Sequence, residues 1–168
     1  PVPVITYNNM TLEVGEGKDF TVGYTDNRNA GTATVAVAGI GNYAGETEVT
    51  FTIRAKDIAE SDVRVASIDP LTYTGGELTP VPVITYNGMT LVVGAENDFT
   101  VAYENNTDAT QKSGAQATVV IAGVGNYAGS ASAAFTILPR ALQDGFIADI
   151  ADQTYTGAEL TPSLTVTY

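Results

Sequence analysis

Hydrophobic and polar positions alternate along most of this chain with the two-residue period of a β-strand. In DFTVAY, residues 98–103, Phe99, Val101 and Tyr103 fall on one face. DFTVGY at residues 19–24 does the same with Phe20, Val22 and Tyr24. DVRVASI at 62–68 sets Val63 and Val65 against polar neighbours, and ATVVIAGV follows at 117–124 as a further strand. Near the end of the pattern Ala133, Phe135 and Ile137 share a face, as Val49, Phe51 and Ile53 do earlier. PVPVITY and MTLVV are separated by Asn87-Gly88, a strong hairpin signal, with Asn8-Asn9 as its counterpart. Both pairs tolerate the positive φ that a tight turn needs. No segment sustains a helical period, although AKDIAESD at 55–62 and PRALQD at 139–144 are each compatible with one helical turn. Pro80 and Pro82 predict an edge strand, because a central strand would lose ladder donors there. About six or seven short strands in about 80 residues predict an all-β fold, a compact antiparallel β-sandwich, with a β-grasp-like module as the alternative.

The pattern is written more than once. PVPVITYNNMTLEVGEGKDFTVGY at residues 1–24 returns as PVPVITYNGMTLVVGAENDFTVAY at 80–103, an offset of 79. GNYAG returns from residue 41 to residue 125 and FTI from 51 to 135, both at an offset of 84. The difference of 5 is an insertion, where TDNRNAGTATV at 25–35 is matched by ENNTDATQKSGAQATV at 104–119. YTGGELTP at 73–80 returns as YTGAELTP at 155–162, an offset of 82. A period of roughly 80 residues suits one small all-β domain better than a solenoid unit. Three segments follow: 1–54, a first copy without its opening strands; 55–138, a complete copy; and 139–168, the opening strands of a third. Tyr168 aligns with Tyr7 and Tyr86, so the chain starts and stops at one phase of the pattern and reads as a window on a longer tandem array.

Composition narrows the function classes. With 19 acidic and 7 basic residues the formal net charge is -12, a field that repels nucleic-acid phosphates and anionic membrane surfaces. The chain has no Cys and no His, which excludes disulfides, zinc-thiolate sites, a thiol nucleophile and a Ser-His-Asp triad. No run has the apolar length of a membrane span, and PVPVITYNN does not read as a signal peptide.

The anchors YTGGELTPVPVITYNGMTL, VGAENDFTVAYENN and ATVVIAGVGNYAGSASAAFTI resemble a tandem immunoglobulin-like β-sandwich module. Such modules occur in large secreted or wall-attached proteins of Gram-positive bacteria and gut actinobacteria. The resemblance covers nearly the whole chain and implies an extracellular, cell-surface or cell-wall location. The implied role is a stalk carrying adhesive or enzymatic domains. Stalk modules of this kind sometimes carry Lys–Asn cross-links, but Lys18 aligns with Asn97, and Lys112 in the insertion has no counterpart.

Candidate chemistry is sparse. The glycine phrase spaces Gly39, Gly41 and Gly45 as G-x-G-x-x-x-G and leads into a strand, unlike a dinucleotide or P-loop motif. It reads instead as turns built on Gly41, Asn42, Tyr43 and Gly45 and again on Gly125, Asn126, Tyr127 and Gly129, with the tyrosines packing back to cap a sheet end. Asn87 and Gly88 form the third turn. Two carboxylates would suffice for a glycosidase, and Asp19/Asp98 and Glu77/Glu159 recur; Asp before Phe is more simply a turn acceptor, and the glutamates are solvated edge residues. TDNRN at 25–29 and ENNTD at 104–108 offer the oxygen donors that Ca²⁺ prefers, without EF-hand spacing and with Arg28 inside the first. Tyr73 and Tyr155 could stack on sugars, or Tyr73 packs against Pro80 or a neighbouring module.

No catalytic, cofactor or metal residue is assigned. The sequence is expected to form a non-catalytic spacer, stalk or filament whose partners are neighbouring copies of the pattern. The alternatives are an adhesive module for a host glycan or protein and a polysaccharide-binding accessory module of a secreted hydrolase. A binding loop would be the unequal one, with Glu104, Asn105, Asn106, Asp108 and Lys112. Small cores without disulfides are marginal alone, so neighbouring copies are expected to support each other.

Overall fold

The computed structural model describes residues 2–167, and its regular structure is almost entirely strand. The protein is all-β. The first copy holds β1 (Thr6–Tyr7), β2 (Met10–Thr11), β3 (Phe20–Thr25), β4 (Gly31–Gly39) and β5 (Glu46–Ile53). The second holds β6 (Lys56–Asp57), β7 (Val63–Val65), β8 (Leu71–Thr72), β9 (Ile84–Tyr86), β10 (Met89–Thr90), β11 (Phe99–Glu104), the helical turn α1 (Thr110–Ser113), β12 (Ala117–Gly123), β13 (Tyr127–Ala128), β14 (Ser130–Phe135) and β15 (Ile137–Leu138). Beyond it lies a short 3₁₀ turn, Asp144–Phe146, and the isolated bridge Ile147–Val166. Tyr168, which aligns with Tyr7 and Tyr86, lies outside the described residues, as does Pro1.

The sheets β3-β4-β5 and β11-β12-β14 are antiparallel and repeat one register. Phe20 opposes Gly39 and Val22 opposes Val37; Phe99 opposes Gly123 and Val101 opposes Ile121. The strand alternation buries Ala33, Val35 and Val37 of β4 and Ala117, Val119 and Ile121 of β12. Asn87 (φ 48°) and Gly88 (φ 77°) form the two-residue turn between Tyr86 and Met89, and Asn8 (49°) and Asn9 (65°) do so between Tyr7 and Met10. Positive φ at both central positions matches the twist of the flanking strands, which is why Asn and Gly stand there.

Three expectations change. The arrangement is not wholly antiparallel, since β13 pairs with β6 and β15 with β8 in parallel. Pro80 and Pro82 do not mark an edge strand: they precede β9, which is the middle strand of β10-β9-β7, so their missing donors fall outside the ladder. Residues 55–62 form no helical turn, because Lys56 and Asp57 extend to pair with β13 and tight turns follow, Glu60 N–H to Asp57 O and Val63 N–H to Glu60 O. PRALQD likewise lacks a helix along its length, and the 3₁₀ turn begins only at its last residue.

The cores differ in size. In the second copy Ile58, Val63, Ile84, Leu91, Phe99, Val119, Ile121, Phe135 and Ile137 belong to one buried cluster that joins the β10-β9-β7 and β11-β12-β14 sheets. In the first only Phe20, Val35 and Val37 form such a cluster, with Ile5, Leu12, Val22, Tyr24 and Phe51 partly buried around it.

Candidate functional site

GNYAG is a closed loop in both places. Gly39 N–H donates to Gly45 O at 2.9 Å, and Gly123 N–H to Gly129 O at 3.0 Å. Gly41 (φ 66°) and Gly125 (63°) take the left-handed conformation the bend requires. Tyr43 packs edge-on against Tyr7 with centroids 6.1 Å apart, and Tyr127 against Tyr86 at 6.2 Å. Burial raises the pKa of the Tyr127 phenol, with Asp98 and Tyr86 adding to it. The second copy of the phrase has a further role that its sequence does not announce: Tyr127–Ala128 is β13, the parallel partner of β6. Asp57 passes so close that a Cβ on Gly129 would lie 2.1 Å from its Oδ1, whereas a Cβ on Gly45 would meet open space.

Asn126 carries the most consequential side chain of the loop. Its Oδ1 accepts from Ala30 N–H at 2.7 Å, and its Nδ2 donates to Asn29 Oδ1 at 3.1 Å. Its backbone carbonyl accepts from Lys56 N–H at 2.8 Å. The residue therefore joins the 26–30 loop of the first copy to the loop and first strand of the second. Asn126 and its counterpart Asn42 are both exposed, so burial does not separate them. No local signal distinguishes the two asparagines, because the distinction comes from what is packed 96 and 97 residues away.

The unequal loop divides into an inward and an outward part. Asn106 is buried, its Nδ2 donating to Leu78 O at 3.1 Å while its own carbonyl accepts from Leu78 N–H at 2.9 Å. Glu104 ends β11 opposite Thr118, and Asn105 (φ 54°) turns the chain as Asp26 (53°) does in the first copy. The inserted residues 110–114 are α1 and its cap: Gly114 (φ 69°) returns its N–H to Thr110 O. Thr110 Oγ1 accepts from Ile137 N–H at 2.9 Å, which ties the insertion to β15. Lys112 pairs with Asp108 at 2.8 Å. Beside the turn lies a hollow of about 480 Å³ lined by Tyr73, Ala109, Gln111, Lys112, Pro139 and Arg140.

Several of the remaining candidates have structural partners. Asp19 Oδ2 accepts from Glu13 N–H and Asp98 Oδ2 from Val92 N–H, both at 2.8 Å, the turn-acceptor role that Asp before Phe suggests. Lys18 pairs with Glu13, and Lys56 with Glu60 and Asp62. The hydrogen bond to Asp62, then that to Glu60, raises the Lys56 pKa, and the same Lys56 bond lowers that of Asp62. Lys56 also lies over the Tyr86 ring, 5.2 Å from its centroid. Tyr73 packs on the second core, while Pro80 is reached by Tyr103, whose hydroxyl donates to Pro80 O at 3.2 Å. Tyr155 is exposed, and so are Glu77 and Glu159.

Among the described residues no group of three or more His, Cys, Asp or Glu side chains is placed to hold a metal ion, and no helix is long and apolar enough to cross a membrane. In the first copy a hollow of about 240 Å³ is lined by Ile5, Leu12, Phe20, Val37, Tyr43 and Ala44. At the corresponding place in the second copy Ile58 is buried, its N–H donating to Ala128 O at 2.9 Å. Comparison with protein-family models, with curated proteins and with solved structures finds no match to this chain.

Proposed function

We propose that this chain is a non-catalytic structural spacer, built from immunoglobulin-like β-sandwich modules in a bacterial cell-surface or secreted protein. One observation carries the reading: the core and turn residues that fold one copy recur in the other. Phe20/Phe99, Val35/Val119, Asp19/Asp98, Tyr43/Tyr127 and the turn glycines recur at core or turn positions. Along the third strand of each sheet the exposed residues diverge, Glu46 and Glu48 standing where Ser130 and Ser132 stand in the second copy, while the exposed hairpin residues Met10-Thr11 and Met89-Thr90 are the same. A spacer needs only that each unit fold and hold its neighbour, and a two-residue connection, Arg54 and Ala55, separates β5 from β6.

A second reading, adhesion to a host glycan or protein, is favoured by the hollow beside α1, which combines Tyr73 with the cations Lys112 and Arg140. Glycan-array and protein pull-down measurements separate the two readings. The spacer predicts no ligand. Binding that disappears when residues 110–114 are deleted would establish adhesion instead.

A further inference from the structure

We propose that Asn126 is a latch between the two copies, with residues 29–30 as its catch, so that their junction is held in one orientation. The polypeptide connection alone is a single point of attachment, and a strand leading through Arg54 and Ala55 into β6 leaves rotation about the connection. Asn126 supplies a second point. Its carboxamide uses its oxygen as acceptor, on Ala30 N–H, and one of its two N–H groups as donor, on Asn29 Oδ1.

The Asn126 side of this contact is held in place. The carbonyl of Asn126 is fixed by Lys56 N–H, and Tyr127 N–H donates to Val124 O while its ring rests on Tyr86. The catch lies between two residues of positive φ, Asp26 (53°) and Gly31 (141°). The second copy does not present the same catch. Where Asn29 and Ala30 stand, it has Asp108, paired with Lys112, and Ala109, which is buried and whose carbonyl takes the Lys112 and Ser113 N–H groups of α1. The five inserted residues therefore change the joint as well as the loop, and a copy carrying them would meet its neighbour differently. Loop length at this one position then encodes which junctions are latched.

The latch deepens the spacer reading and fails separately from it, since junction geometry and ligand binding are measured independently. The cysteine-free chain gives a clean background for spin labels at Glu48→Cys and Ser132→Cys, both exposed. Double electron–electron resonance on the 168-residue chain is expected to give one narrow distance distribution. Asn126→Ala, Asn29→Ala and insertion of TQKSG after Ala30 are each expected to lose that narrow peak, with the amide spectrum of each copy otherwise kept. Asn42→Ala, the same turn residue in the first copy, is expected to leave the distribution unchanged. A broad distribution in the parent, or one that Asn126→Ala and Asn29→Ala both leave as narrow as the parent's, overturns the latch.

Discussion

Phe51 and Phe135 occupy the same place in two equivalent sheets, opposite Ala33 and Ala117, yet Phe135 is 1% exposed and Phe51 is only half-buried. Their register and facing alanines match, and what differs most is the segment packed on the other face. Residues 55–78 make it: β6, β7 and β8 bring Ile58 and Val63 into the buried core and set Val65 and Leu71 against it. Among the described residues of the first copy, the sheet and the hairpin are present and the buried cluster is smaller. A sheet face is thus not a core until a second layer closes it.

The largest expected effect is on these two phenylalanines. Phe135→Ala is expected to destabilise the second copy by about 3–5 kcal/mol, the range for emptying a closed core, and Phe51→Ala to destabilise the first by clearly less. Urea unfolding followed through the amide signals of each copy measures both. Equal costs would mean that the two faces are equally closed.

Next comes the pair Gly45→Ala and Gly129→Ala. Each forces a side chain into positive φ, a strain of roughly 1–2 kcal/mol. Gly129→Ala also drives a methyl into Asp57, so it is expected to cost more and to loosen β6 from β13, seen as faster exchange of Ile58 N–H. The smallest effect is electrostatic. The Asp62 pKa is lowered in the folded chain, so its contribution is present above the unfolded carboxylate value, about 3.9, and is lost as pH falls through the lower folded value. Asp62→Asn is expected to flatten the acid side of the second copy's pH–stability profile and leave the first copy's unchanged. Because Asp62 is exposed to solvent, the stability change is small.

The sequence made local features legible and hid non-local ones. Asn87-Gly88 specifies its hairpin from two adjacent residues, and the alternation in DFTVAY specifies a half-buried strand. Asp98 before Phe99 was readable as a turn acceptor because its partner, Val92, is six residues away. The parallel pairing of Lys56-Asp57 with Tyr127-Ala128 was not readable, because a polar dipeptide has no strand signal and its partner lies on a loop far along the chain. Asn106 and Asn126 look like ordinary loop residues, and only their distant partners, Leu78 and Asn29–Ala30, give them roles. Gly114 after ATQKS was a usable helix-cap signal for the insertion.

The central claim is that the opening segment, not the sheet, closes the core. The most direct test is amide hydrogen exchange in the first copy, before and after a duplicate of residues 55–79 is joined ahead of residue 1. Burial of side chains such as Ile58 and Val63 is worth about 1.5–3 kcal/mol each, so protection of the β4 amides at Val35 and Val37 is expected to rise toward that of Val119 and Ile121. Unchanged exchange at Val35 and Val37, with the added segment itself unprotected, would contradict the account.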